Sequence, residues 1–235
     1  MKAQQSSFTA RGWSDGTFLA RLPKDARHEL LELGVKQWHP AGCEFITQGG
    51  PPGAVYILLD AVVTVTACVE NGVKTLIAIR VSGDLVGEMA VIDDTSRFAS
   101  VTVCRDSLLS HIPGPAFMGF LHRTPAGAVA VHRLLGERLR QANRRRLDFA
   151  GYPVNVRLAR ALLELAAQHG RAYAGGVDIG VRLSQAEYGA LVGATEDSVQ
   201  RALRGLAAEG LIKRGRRRIV IVDRDRLTEY AELAQ

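Results

Sequence analysis

The spacing of hydrophobic positions changes along the chain and divides it into stretches of different texture. From Val35 to Ile112 the apolar residues fall in short runs: EFIT, VYILL, VVTVTACV, TLIAIRV, FASVTV and LLSHI. Several alternate with polar residues, the period-two pattern of a strand with one buried face. Gly42, Gly49-Gly50-Pro51-Pro52-Gly53, Asn71-Gly72 and Gly83-Asp84 punctuate them. Asn-Gly between two such runs predicts a tight hairpin, and strands this short and closely spaced predict an antiparallel sandwich or jelly roll. Ahead of them, residues 22–33 place Leu30, Leu31 and Leu33 in a short helix with Pro23 near its start, and residues 1 to about 17 read as a loose arm.

Beyond the strands the period lengthens. Thr124-Pro125 sets a cap and a first-turn proline in the order that opens a helix. That helix can run to about Ala150, about 40 Å at about 1.5 Å per residue. Ala128, Val131, Leu135, Leu139, Ala142 and Phe149 form a narrow, roughly heptad stripe along it. A long helix with so narrow an apolar face is expected to pair with a copy of itself. Gly151-Tyr152-Pro153 interrupts it and predicts a hinge. Residues 155–169 are amphipathic again through Leu158, Leu162, Leu163 and Leu165, and residues 170–180 read as a loop.

The next stretch carries the most specific pattern. Ser184 with Glu187 three residues later is a capping box. Tyr188, Leu191 and Val192 are the apolar positions of the helix it opens, and Gly193 ends that helix. Thr195 caps a second helix, with Glu196 and Asp197 in its first turn, where the helix dipole favours acids. Val199, Ala202, Leu203 and Leu206 give it one apolar face, and Ser198 and Arg201 lie off that face. Two helices around a glycine turn, the second with a polar outer side, suit entry into the DNA major groove. KRGRRRIVIV then reads as strand, turn and strand. From Arg201 to Arg218 there are seven basic residues against one acid, Glu209. Lys213, Arg214, Arg216, Arg217 and Arg218 are candidate phosphate contacts in this wing. The fold class is therefore α+β: an antiparallel β jelly roll over residues 1–123, a dimerisation helix over 124–150, and a hinge with a winged helix-turn-helix over 151–235.

Composition adds modestly to this. Net charge is +6 with a pI near 9.5, which favours an anionic partner without choosing among DNA, RNA and membranes. Five of the 30 basic residues are lysine and the rest are arginine, the residue suited to bidentate phosphate and guanine contacts. Cys43, Cys68 and Cys104 are widely spaced with no CxxC pair, so no metal or iron–sulfur site is expected and buried thiols in a reducing cytoplasm are. His39 and His111 are lone histidines on strands and read as structural, so haem is not expected. The N-terminal stretch lacks the apolar core of a signal peptide, and the most hydrophobic run, residues 54–68, is too short to span a bilayer. A cytoplasmic location without membrane attachment follows. No nucleophile–base pair, metal-ligand spacing or phosphate loop suggests an enzyme.

The order of elements, with PAGCEFITQGGPPGAVYILLDAVVTV and GDLVGEMAVIDDTSRFASVTV, resembles the cyclic-AMP receptor protein / fumarate-nitrate regulator (Crp/Fnr) family of bacterial transcription factors, over about Leu22 to Val222. The resemblance implies a homodimer whose effector, held in a cyclic-nucleotide-binding-like β domain, reorients the DNA-binding domains through the long helix. It implies pseudo-palindromic double-stranded DNA and RNA polymerase as partners. Gly87, Glu88, Met89, Arg97, Phe98 and Ala99 fall in the phosphate-binding cassette, with Glu88 placed to accept from a ribose hydroxyl and Arg97 to pair with a phosphate. Ala142 and Asn143 fall where the long helix meets the effector. Cyclic AMP, cyclic GMP or another small molecule are the candidate effectors. Phe98 replaces a hydroxyl donor with a bulky ring, and Ala142 replaces a threonine that contacts the adenine amino group. These two changes predict at least about tenfold weaker binding of cyclic AMP, before any steric cost. Asp60 stands at a turn glycine of the family, a left-handed position that aspartate tolerates.

For the reading helix the resemblance implies base contacts by Glu196, Asp197 and Arg201, with Arg201 on guanine. Glu196 stands in place of a guanine-reading arginine, so the TGTGA half-site is not expected. Ser184, Gln185, Thr195 and Ser198 are further candidates for phosphate contacts. The competing reading is a nucleotide-sensing signalling module whose basic tail binds RNA or a protein.

Overall fold

The computed structural model describes residues 13, 16–70, 72, 74–215 and 218–232. The chain divides into two compact units, Met1–Gly136 and Glu137–Gln235. The boundary between them lies inside the long helix.

The first unit opens with two short helices, α1 (Phe18–Arg21) and α2 (Lys24–Glu32). The strands are β1 (Val35–His39), β2 (Glu44–Ile46), β3 (Ala54–Asp60), β4 (Val62–Cys68), β5 (Lys74–Val81), β6 (Leu85–Val86), β7 (Ser100–Val103) and β8 (Ser107–Pro113), with the one-and-a-half-turn α3 (Glu88–Asp93) between β6 and β7. They form two four-stranded antiparallel sheets, β1-β8-β3-β6 and β2-β7-β4-β5. This is the expected jelly-roll arrangement, and two strands, β1 and β6, join the six apolar runs. Ile46, Leu58, Val63, Val101, Val103 and Leu109 fill the space between the sheets. A second cluster joins Phe18, Leu19, Leu22 and Leu30 of the N-terminal helices to Phe117 and Phe120 of α4 (Gly114–Arg123), beneath Val55, Ile57 and Ile112. β4 pairs with β5 across the turn that contains Gly72; Asn71 lies outside the described residues, as does most of the N-terminal arm.

Helix α5 (Pro125–Gly151) starts and stops where the sequence places it. Ala130, Val131 and Leu134 are buried in the first unit's core. Farther along, Leu139, Leu147 and Phe149 are among the exposed large apolar side chains. At its start the Thr124 hydroxyl donates to Glu29 at 2.8 Å, and Arg123 donates to the same carboxylate at 3.2 Å.

The second unit contains the end of α5, then α6 (Val154–His169), α7 (Gln185–Val192), α8 (Glu196–Ala208), the wing strands β11 (Ile212–Gly215) and β12 (Arg218–Ile221), and α9 (Arg224–Glu232). Residues 170–180, expected as a loop, instead contain strands β9 (Arg171–Tyr173) and β10 (Gly176–Asp178), which extend the wing into a sheet of order β11-β12-β10-β9. Each strand is three residues long, too short to display a period. The break at Gly151-Tyr152-Pro153 is real but bridged. Arg160 Nη1 donates to Asp148 at 2.5 Å, its Nε donates to the Ala231 carbonyl at 2.9 Å, and its guanidinium lies 3.8 Å from the Tyr152 ring centre.

Two further expectations need correction. Asp60 is not left-handed; among the described residues, the non-glycine position with positive φ is Asp94 (φ 49). Asp60 ends β3 and pairs with Arg105. The thiols are not buried: Cys68 and Cys104 are exposed and Cys43 is half-buried. Cys68 is the last residue of β4 and Cys104 follows β7, so both lie at strand ends. Cys43 Sγ lies 3.6 Å from His39 Nδ1. His39 and His111 cap a row of rings, His39–Phe45–Tyr56–His111, with centroids 4.9–5.5 Å apart. Burial lowers the His39 pKa.

Candidate functional site

The turn between β6 and α3 builds the first candidate site. Gly87 is left-handed at φ 84, a conformation that side chains rarely tolerate. A Cβ there would stand 2.9 Å from Arg97 Nη1 and 3.2 Å from the Ala54 carbonyl oxygen. The glycine is therefore needed for space as well as conformation. Arg97 is 7 % exposed. Its Nε donates to the Pro51 carbonyl at 3.1 Å, Nη1 to Gly87 at 2.6 Å and Nη2 to Ala54 at 2.6 Å. A guanidinium has five N–H donors, so this leaves two for an anion. Glu88, 2 % exposed, heads α3. Burial pushes the Arg97 pKa down, and the Tyr56 phenol and Glu88 carboxyl offset only part of this, leaving it lowered. Burial raises the Tyr56 pKa while the Arg97 charge lowers it.

Gly87, Glu88 and Arg97 thus come together as expected, and Tyr56 joins them unannounced. Its register partner in the sheet is Val86, the residue before Gly87. The remaining cassette residues diverge. Ala99 is in the sandwich core, whereas Met89 and Phe98 face solvent, Phe98 at 53 % exposure. The Phe98 ring therefore does not fill the cradle, and the steric cost expected of it has no basis in this geometry. Ala142 and Asn143 lie exposed on α5 in the second unit.

The second site is the helix pair. Ser184 caps α7 with both capping-box bonds formed: it accepts from the Glu187 N–H at 3.2 Å, and its own N–H donates to the Glu187 carboxylate at 2.6 Å. Its hydroxyl also donates to that carboxylate at 2.8 Å, so the expected phosphate contact at Ser184 competes with the cap. Gln185 opens the helix. Gly193 is left-handed at φ 62 and turns the chain. Thr195 caps α8 by accepting from the Ser198 N–H. Tyr188, Leu191, Val192, Val199, Ala202, Leu203 and Leu206 are buried as predicted. That leaves Glu196, Asp197 and Arg201 exposed on the outer side of α8. Arg201 Nη2 donates to Ser198 Oγ at 3.2 Å, and Thr195 Oγ1 donates to the same oxygen at 3.0 Å. This row points the guanidinium back along the helix toward its N-terminus.

In the wing, Lys213 and Arg214 are exposed, and Arg216 and Arg217 lie outside the described residues. Arg218 is engaged internally. Its Nε lies 3.3 Å from Asp178, and its guanidinium lies 4.6 Å from the Tyr173 ring centre. Asp178, inside the stretch expected as a loop, and Arg182, just ahead of the α7 cap, organise this corner. Among the described residues, no group of three or more His, Cys, Asp or Glu is placed to hold a metal, and no helix is long and apolar enough to cross a membrane.

The family description "Cyclic nucleotide-binding domain" matches residues 36–124, and "Crp-like helix-turn-helix domain" matches residues 156–230. A CRP-like cAMP-activated global transcriptional regulator of Mycobacterium tuberculosis is 28% identical over 192 residues, covering 82% of this chain and 86% of that protein. The cyclic AMP receptor protein of Thermus thermophilus is 28% identical over 186 residues, covering 79% and 82%. The solved structure of a CRP/FNR-family transcriptional regulator from Thermus thermophilus superposes with a TM-score of 0.67 at 26% identity, covering 86% of this chain and 100% of that one. With both domains matched in this order, and with the cradle and the capped helix pair in place, the chain belongs to the Crp/Fnr family of DNA-binding transcription regulators.

Proposed function

We propose that this regulator works as a homodimer on pseudo-palindromic DNA, with a small-molecule effector bound at the Gly87–Glu88–Arg97 cradle and cyclic AMP a poor ligand for it. The observation that carries the reading is the cradle itself. A buried arginine with two free donors stands beside a buried carboxylate and a phenol, which suits an anion linked to a hydroxyl-bearing group. The effector is a cyclic nucleotide or a similarly sized anion. Phe98 and Ala142 each remove a polar contact worth about 0.5–1.5 kcal/mol, which weakens cyclic AMP about tenfold or more.

Exposed Leu139, Leu147 and Phe149 support pairing of α5 with a second copy. Arg201 reads guanine, Glu196 and Asp197 shift the preferred half-site, and Gln185, Thr195, Ser198, Lys213 and Arg214 contact phosphates. The protein works in the cytoplasm as a regulator rather than an enzyme, with RNA polymerase as its output partner. Titration calorimetry with cyclic AMP and cyclic GMP tests the effector reading. Binding weaker than micromolar is expected, improved by Phe98→Ser with Ala142→Thr. Micromolar or tighter binding by the natural protein would overturn it.

A further inference from the structure

Asp178 is 7 % exposed and sits at the end of β10. Its carboxylate accepts from Arg182 through both terminal nitrogens, each at 3.1 Å, from the Gly180 N–H at 3.0 Å, and pairs with Arg218 Nε at 3.3 Å. One buried anion thus fixes the wing strand β12, the turn after β10, and the residue two places before the α7 cap. The arginines are not buried with it: the Arg182 and Arg218 side chains keep 43% and 37% exposure, against 10% for Asp178. Of five N–H donors on each guanidinium, three remain on Arg182 and four on Arg218. The Tyr173 ring under Arg218 sets its plane. The ion-paired group of one carboxylate and two guanidiniums keeps one net positive charge while Asp178 is ionised, with the Glu187 carboxylate held nearby in the α7 cap.

We propose that Asp178 is the positioning residue of a two-arginine clamp, in which Arg182 and Arg218 present their outer donors to backbone phosphates flanking the groove that α8 reads. A preorganised guanidinium loses less side-chain freedom on binding than a free one. The inference rests on the DNA-binding reading and predicts a sign that bulk electrostatics does not. Neutralising a carboxylate near a polyanion should by itself tighten binding, whereas disbanding the clamp should loosen it.

The test is fluorescence anisotropy of the full-length protein on a random-sequence duplex of about 30 base pairs, across a sodium chloride series. Asp178→Asn is expected to weaken binding about threefold to tenfold, about 0.7–1.4 kcal/mol, with Asp178→Glu retaining part of the affinity. Arg182→Gln should weaken binding and reduce the salt slope by about one unit. Combining Asp178→Asn with Arg182→Gln should cost less than the two losses added. Unchanged or tighter binding by a folded Asp178→Asn protein overturns the proposal. If that variant melts, Arg182→Gln carries the test, because Asp178 keeps Arg218, and an unchanged affinity and slope overturns it. Failure of the natural protein to bind duplex DNA at low salt would instead refute the DNA-binding reading beneath it.

Discussion

Gly87→Ala is the sharpest perturbation of the effector cradle, because its cost can be divided into parts. A side chain in the left-handed conformation costs about 1–2 kcal/mol. The new Cβ would also stand 2.9 Å from Arg97 Nη1, 3.1 Å from Ile46 Cδ1 and 3.2 Å from the Ala54 carbonyl oxygen. The carbonyl belongs to β3 and cannot yield, so the guanidinium must move. Moving it breaks the 2.6 Å bond from Nη1 to the Gly87 carbonyl, a charge-assisted bond worth about 1.5–3 kcal/mol. The variant should therefore lose about 2.5–5 kcal/mol. In an Arg97→Met background the second part is already gone, and Gly87→Ala should cost about 1–2 kcal/mol. Urea unfolding followed by tryptophan fluorescence measures both, because both tryptophans, Trp13 and Trp38, lie in the first unit. Equal costs in the two backgrounds would refute the contact between Gly87 and Arg97 as the reason for the glycine.

Three other outcomes follow from the second unit. Asp148→Asn removes the partner of Arg160 and should destabilise the unit by about 1–3 kcal/mol, between the values for exposed and buried pairs. It should also speed amide exchange at Gly151 and Tyr152; unchanged exchange there would mean that the pair does not hold the break. Burial pushes the Asp178 carboxyl pKa up, but hydrogen bonds from Arg182 and Gly180 and the charges of Arg182 and Arg218 outweigh it, leaving a net lowering. Its stabilisation is therefore complete above about pH 4, the unfolded value, and is lost as pH falls through the lower folded value. Thermal melts from pH 5 to pH 2 should show Asp178→Asn losing less stability than the natural protein, and superimposable acid limbs would contradict this. Arg201→Ala should cost about 1–3 kcal/mol on selected operators and little on random duplexes, whereas Lys213→Ala with Arg214→Ala should weaken both; equal losses on the two DNAs for Arg201→Ala would remove it as a base reader.

The helix pair was legible because its signals are local. Ser184, Glu187, Gly193 and Thr195 each act within one turn of their own position, and the structure forms every one of those caps. The β sandwich was legible as a class, since alternation fixes which face is buried, but β1 and β6 owe their definition to partners distant in sequence. The β9–β10 hairpin could not be seen for the same reason, because β10 is held by pairing with β12 and β9 by pairing with β10. Helix α9 left a readable trace in Asp223, whose carboxylate accepts from the Arg226 N–H at 3.0 Å, followed by Leu227, Tyr230 and Ala231. In the cradle, the residues adjacent in sequence were found and Tyr56 was missed, because only cross-strand pairing brings it beside Gly87. Asp178 shows the same limit: its burial comes from the wing folding over it.

Selection of bound fragments from a random double-stranded DNA pool by the purified full-length protein, with and without cyclic AMP, separates an operator-reading dimer from a module that binds RNA or protein. Pseudo-palindromes whose half-sites lie about 10 base pairs apart and differ from TGTGA should be enriched, alike with and without cyclic AMP. Enrichment of no palindrome, or equal capture of RNA and DNA, would contradict it.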